Sequence, residues 1–243
     1  MSKNEDKSFQ ELQDDYYSNN EDGYIGAQYS NILESTKELE RNISETIVLK
    51  KDLSFLDAGC GDGSIIWYLQ KSFPDAKFTG FDISKGMVSF ARKRLPLAVS
   101  IERGDLLDME EFSKEKFDIV YSIHTLSLFS NFEPVLLELI KSTKKHLFIN
   151  SLFSDQNIDT LTTVKEPGFP EIQWNIFSMD KIEDFLVNNG ASSVQFKRLH
   201  MPFDLEKPEE GMGSYTRKLS SGDRLTFSGP LYLPWYILRA DFN

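Results

Sequence analysis

Acidic residues and glycines recur in this chain in a spaced series. Asp57 is followed by Gly59, Gly61 and Gly63 at alternate positions. Asp82 stands nineteen positions beyond the last of them, and Gly104–Asp105–Leu106 comes next. Alternating glycines let a ligand approach the backbone where any Cβ would collide, and a helix starting there aims its N–H groups at that ligand. Asp57 repels a pyrophosphate and suits a cationic ligand. At Asp82 an ionised carboxylate can accept from two vicinal hydroxyls at once, although the same position could cap the next helix, a role open to Ser84 as well. Ser122, Ile123 and His124 end another apolar run, where acceptor chemistry belongs in an open α/β sheet. Histidine is the side chain whose ordinary pKa lies nearest neutrality, so His124 is a candidate acid–base residue, with Tyr16 and Tyr17 as alternatives. The bland alternative for His124, inside the apolar segment 123–129, is a buried ring bonded to backbone.

These residues need elements to hold them. Leu53–Leu56 reads as a buried strand, and Ile65, Ile66 and Leu69 open a helix directly after the glycines. Ala76–Phe81 is the second strand, followed by a helix from Ser84 to Leu95. Val99–Glu102 is the third strand and Phe117–Ser122 the fourth. A helix over Asn131–Lys144 turns Leu136, Leu137 and Ile140 inward, and Lys145–Asn150 is the fifth strand. A helix from Ser178 to Asn189 stops at Gly190, and Ser192–Leu199 and Trp235–Phe242 read as closing strands. Ser220–Ser221–Gly222–Asp223 marks a hairpin between them. The organisation expected is a single domain, with a helical N-terminal cap at 1–48, a binding core at 49–152, a lid insertion at 153–177 and a C-terminal helix, strands and hairpin at 178–243.

Composition narrows the function. The chain has 243 residues and a formal net charge of −11, which argues against nucleic acid as a partner, since phosphate binding needs a basic surface. One cysteine leaves no intrachain disulfide and fits a reducing, cytoplasmic setting. No run of about 18 apolar residues is present, and the polar start does not read as a signal peptide, so no membrane is expected. His124, His146 and His200 show no metal-ligand spacing, so no metal is expected. A small-molecule acceptor is the partner expected of a monomer or homodimer. Tyr29 and Trp174 are candidate walls of its pocket. Arg217, Lys218 and Arg224 are candidate anion partners should that acceptor be phosphorylated.

Asp57 with Gly59, Gly61 and Gly63, set between a strand and a helix, resembles motif I of the class I S-adenosylmethionine-dependent methyltransferases, an acidic residue followed by Gly-x-Gly-x-Gly. The resemblance implies a doubly wound, Rossmann-like α/β fold whose seven-stranded, mostly parallel sheet has its last strand antiparallel. It implies S-adenosyl-L-methionine as cofactor. Asp57 would then support the amino-acid end and Asp82 the ribose. Asp105 would accept from the exocyclic amine, the Leu106 N–H would meet the ring, and Ile83 would pack on the adenine face. Cys60, more a space-filler than a nucleophile, and Ser122 are counted with the cofactor residues. Phe117–Ser122 and the tyrosine-bearing N-terminus distantly resemble the phosphoethanolamine N-methyltransferases, but their catalytic histidine falls a few positions beyond His124. Sugar O-methyltransferases fit as well. No Asn-Pro-Pro-Tyr-like tetrapeptide ends the fourth strand, which argues against DNA bases and protein glutamine as acceptors.

Two rivals remain in view. A nicotinamide-dependent dehydrogenase wants Gly-x-Gly-x-x-Gly, and here the third glycine comes one residue early. A non-catalytic regulatory or assembly protein on the same scaffold is the other, since fold does not fix function.

Overall fold

In the computed structural model the described residues are 29–47, 52–165, 171–209, 211 and 213–243. Tyr16 and Tyr17 lie outside them.

The centre of the molecule is β1 (Ser54–Ala58), which pairs in parallel with β2 (Lys77–Asp82) on one side and β4 (Phe117–Ile123) on the other. Phe55, Leu56, Asp57 and Ala58 are all fully buried. Such an uninterrupted inward run is what a strand covered on both faces requires. From β2 the sheet continues to β3 (Ser100–Arg103). From β4 it continues to β5 (Thr143–Ser154), then to β13 (Trp235–Phe242) and β9 (Ala191–Arg198). β13 runs antiparallel between β5 and β9, so the expected antiparallel last strand is present. A short β8 (Phe177–Ser178) pairs with the far end of β5.

Helices cover both faces. One core packs Phe55, Tyr121, Phe148 and Ile237 under α1 (Glu34–Thr46), α2 (Ser64–Ser72) and α3 (Lys85–Arg94). The other packs Leu56, Val120, Ile149 and Leu238 under α5 (Glu133–Ser142) and α6 (Met179–Asn188), with the one-turn α4 (Glu110–Ser113) beside them. Ser84 caps α3, its Oγ accepting the Met87 N–H, which assigns the cap to Ser84 rather than Asp82. Helix α5 is shorter than the sequence reading expects, and its phase differs. Val135, Leu136 and Leu139 are buried whereas Leu137 is exposed, because positions three and four apart share a face and Val135 sets that face.

Between β5 and α6 the chain forms a strap. β6 (Thr163–Val164) pairs antiparallel with β7 (Ile172–Gln173), and Thr160 bridges Ile176. A second insertion, β10 (Ser214–Lys218), β11 (Arg224–Ser228) and β12 (Leu231–Tyr232), forms a small antiparallel sheet that leads into β13. Among the described residues, no helix is long and apolar enough to cross a membrane.

The chain leaves β1 toward β2 and β3 on one side and returns through β4 and β5 on the other. A crevice therefore opens at the carboxyl ends of β1 and β4, the place where ligands bind in open α/β sheets.

Candidate active site

The turn after β1 is stapled to the end of β2. The Gly59 and Cys60 N–H groups both donate to Phe81 O, at 2.9 and 2.8 Å, and Gly61 N–H donates to Asp82 Oδ2 at 2.9 Å. Gly63 caps α2 with φ of +79°, and a Cβ there would sit 2.6 Å from Leu95 Cδ1. Gly61 differs. Its φ is +51°, yet a Cβ would meet no atom of the described residues within 4 Å, because that side of the turn opens onto a cavity.

The cavity measures about 350 Å³. Gly59, Gly61, Phe81, Asp82 and Ile83 form its floor, Gly104, Asp105 and Leu106 one wall, and His124, Thr125, Leu128 and Phe129 the opposite wall. Met87 and Leu107 also line it. Of the candidate cofactor residues, Gly59, Gly61, Asp82, Ile83, Asp105 and Leu106 thus line one space.

The others stand elsewhere. Asp57 lies behind the turn, wholly buried, and among the described residues neither carboxyl oxygen has a hydrogen-bond partner. Tyr121 faces it, close enough to interact but outside hydrogen-bond geometry. Burial pushes the Asp57 carboxyl well above the ordinary carboxylate range, with Asp82 and Asp62 adding to the shift and Tyr121 opposing it. Cys60 is buried, and burial likewise pushes its thiol up. Ser122 is a correction: strand alternation turns it inward, where its Oγ donates to Ala58 O at 2.8 Å and bonds Thr125 Oγ1. Thr125, two residues past the strand-end position, lines the cavity in its place.

His124 follows β4 directly with φ of +61°, in the left-handed region that a histidine rarely adopts. Its N–H donates to Asn150 O at 3.0 Å, and its ring meets Trp235 edge-on with centroids 4.8 Å apart. Burial of the ring lowers its pKa to about 4, so the imidazole is neutral at neutral pH.

Tyr29 donates to Asp62 O at 2.6 Å and packs against Trp67, with Arg94 over its ring. It therefore braces the glycine turn from outside and does not line the cavity. Trp174 sits in the strap, its N–H bonded to Thr162 O at 2.9 Å. The candidate anion partners are also outside the cavity. Arg224 is paired with Asp204 at 2.7 Å, Arg217 lies over Tyr215 and Phe227, and Lys218 is exposed at the end of β10. Among the described residues, no lysine or arginine lines the cavity.

Thr125, Leu128, Phe129, Met87 and Trp235 went unread in the sequence. They arrive from a helix face, a turn and the start of β13, which no local pattern connects. Only the need for a glycine at 59 hints at one of them, since a Cβ there would press on Thr125 Cγ2 at 2.6 Å.

A family model for a methyltransferase domain matches residues 49–179, more than half of the chain. The chain belongs to the methyltransferase-domain family. S-adenosylmethionine is that family's cofactor. The methyltransferase domain is 30% identical over 119 residues to malonyl-[acyl-carrier protein] O-methyltransferase of Priestia megaterium, covering 48% of this chain and 42% of that protein. It is 34% identical over 97 residues to phosphoethanolamine N-methyltransferase 1 of Arabidopsis thaliana, covering 39% of this chain and 18% of that one. The match thus spans less than half the length of either relative. Among solved structures, magnesium protoporphyrin IX methyltransferase from Synechocystis with bound S-adenosylmethionine shares the fold at a TM-score of 0.61 and 15% identity, covering 99% of this chain and 100% of that one.

Proposed function

We propose that this protein transfers a methyl group from S-adenosylmethionine to a small polar acceptor. The observation that carries the reading is the cavity floor, where Gly61 presents bare backbone beside the Asp82 carboxylate and Asp105 and Leu106 stand opposite. The residues fit the cofactor. Asp82 and Asp105 offer acceptors for ribose hydroxyls and for an amine, and Ile83, Leu106 and Met87 offer apolar cover for a purine. Asp57 is a buried carboxyl behind the glycine turn with no hydrogen-bond partner among the described residues, and a ligand bringing positive charge to that turn relieves it.

When bound, the cofactor supplies an electrophilic methyl on a sulfonium. The protein's part is to hold the acceptor in line with it, and positioning alone is worth effective molarities on the order of 10⁵ M or more. We place the acceptor between the cavity and the His124–Trp235 pair, with His124 offering a neutral imidazole nitrogen to the acceptor's proton. Relatives that methylate oxygen and relatives that methylate nitrogen are both similar to this chain, so the reading extends to either atom. The absence of lysine and arginine among the described lining residues favours an acceptor without a phosphate at the reacting end.

Calorimetry with S-adenosylhomocysteine and with the oxidised nicotinamide dinucleotide tests the cofactor. The first should bind and the second should not; the reverse result would replace this reading with a dehydrogenase. Transfer of a labelled methyl across a panel of hydroxyl, amine and carboxylate metabolites, phosphorylated and not, then tests the acceptor.

A further inference from the structure

No described residue of the strap between β5 and α6 lines the cavity, yet one of them grips the cavity wall. Asn175 is completely buried. Its backbone N–H donates to Ser127 O at 2.9 Å, and its side-chain Nδ2 donates to Phe129 O at 2.8 Å. Its Oδ1 accepts the Thr162 N–H, also at 2.9 Å, from the other limb of the strap. Ser127 and Phe129 belong to the 3₁₀ turn Leu126–Leu128 and its C-cap, and Leu128 and Phe129 line the cavity. One amide therefore bonds both limbs of the strap to the wall opposite Asp105. The base of the strap is fixed separately: Asp159 accepts from Ser178 N–H at 2.9 Å and from Lys181 Nζ at 2.7 Å.

A short 3₁₀ turn makes poor internal hydrogen bonds and has little rigidity of its own. The position of Leu128 and Phe129 thus depends on what holds their carbonyls. A wall displaced by a fraction of an ångström loses van der Waals contact with whatever fills the cavity. We infer that Asn175 is a positioning residue for the cofactor site, holding the Leu126–Phe129 wall against the bound nucleoside so that cofactor affinity depends on the strap. The inference rests on the assignment of this cavity to S-adenosylmethionine.

Its test uses the full chain and S-adenosylhomocysteine. Asn175→Asp keeps the size and the acceptor for Thr162 but turns a carboxylate oxygen toward Phe129 O. Asn175→Ala removes both side-chain bonds. With folding verified by circular dichroism below the melting transition, both variants should bind S-adenosylhomocysteine about tenfold more weakly or worse, as expected when a buried hydrogen bond is lost. A purely structural asparagine would lower the melting temperature and leave that affinity alone; a folded Asn175→Asp with wild-type affinity overturns the inference. Hydrogen exchange on the wild-type protein provides a second measure that needs no variant. Binding should slow exchange at 160–162 and 174–176 together with 126–129, and protection that stops at the turn counts against the strap. Wild-type protein that fails to bind S-adenosylhomocysteine overturns the cofactor assignment instead.

Discussion

Asp82 on β2 reaches across to hold the turn that follows β1, its Oδ2 accepting the Gly61 N–H at 2.9 Å while Oδ1 accepts the Ser84 N–H at the same distance. A carboxylate offers about four acceptor positions, so shaping the turn and receiving ligand hydroxyls are compatible duties. Asp82→Ala should therefore show two effects. The melting temperature falls, because buried N–H groups lose their partner at a cost of about 1–3 kcal/mol. S-adenosylhomocysteine affinity also falls by about tenfold or more, by the same kind of loss. Calorimetry on folded Asp82→Ala checks the second effect, and unchanged affinity removes Asp82 from the site.

Gly61 separates strain from occlusion. At φ of +51° an alanine is strained, by about 1 kcal/mol, but its Cβ meets no atom of the described residues within 4 Å. Gly61→Ala should fold with a small drop in melting temperature and bind S-adenosylhomocysteine far more weakly than that drop explains, because the methyl occupies the ligand's approach. Gly59→Ala makes the contrast: there a Cβ meets Thr125 Cγ2 at 2.6 Å, so folding itself should suffer more. If both variants lose stability equally and Gly61→Ala binds as wild type, no ligand lies against Gly61.

How much of this was legible beforehand follows from how local each feature is. β1, the glycine turn and α2 are contiguous, and strand, turn and helix periodicities identify them without any partner. Asp82 was legible from its place at a strand end, and Ile83, Asp105 and Leu106 from the resemblance; they line one space because every parallel strand ends on the same side of the sheet. Ser122 was misplaced by the same reasoning, which fixes the end of the strand but not which way each side chain turns. The register that puts Ser122 under Ala58 O comes from pairing alone. Arg224 looked like a spare cation, but Asp204, twenty positions earlier, pairs with it across the small sheet. Asn175 sits in a stretch without periodicity. Its importance lies wholly in hydrogen bonds to residues 127, 129 and 162.

Asp57 should couple stability to cofactor binding. Its carboxyl is buried without a hydrogen-bond partner among the described residues, and burial raises its pKa in the folded protein. Burial thus disfavours the ionised form of this carboxyl in the folded protein. Its share of stability is full below the ordinary carboxylate pKa of 3.8 and is lost as pH climbs toward the raised value. Asp57→Asn removes that penalty. The ligand-free variant should melt higher than wild type near neutral pH, with the advantage shrinking in acid, while its affinity for the cationic cofactor drops. A variant that melts lower at neutral pH would mean that the Asp57 carboxyl has a partner in the folded protein.

His124 is the residue on which the proposed acid–base chemistry turns. It lines the cavity, its ring meets Trp235, its N–H donates to Asn150 O, and burial lowers its pKa to about 4. A base whose folded pKa is lowered from 6.5 contributes stability that is full above pH 6.5 and is lost as pH falls toward 4. His124→Asn should flatten that part of the stability profile. The same shift moves the expected kinetic signature. If the imidazole accepts the acceptor's proton, the acidic limb of the rate profile falls near pH 4 rather than near the ordinary histidine value. The variant should lose that limb, turn over about 10²-fold more slowly and bind S-adenosylhomocysteine as wild type does. Steady-state rates across pH, with calorimetry run in parallel, separate the cases. Turnover and profile that both survive the substitution make His124 a structural residue, fixed by Trp235 and Asn150, and pass the proton-transfer role to Tyr16 or Tyr17.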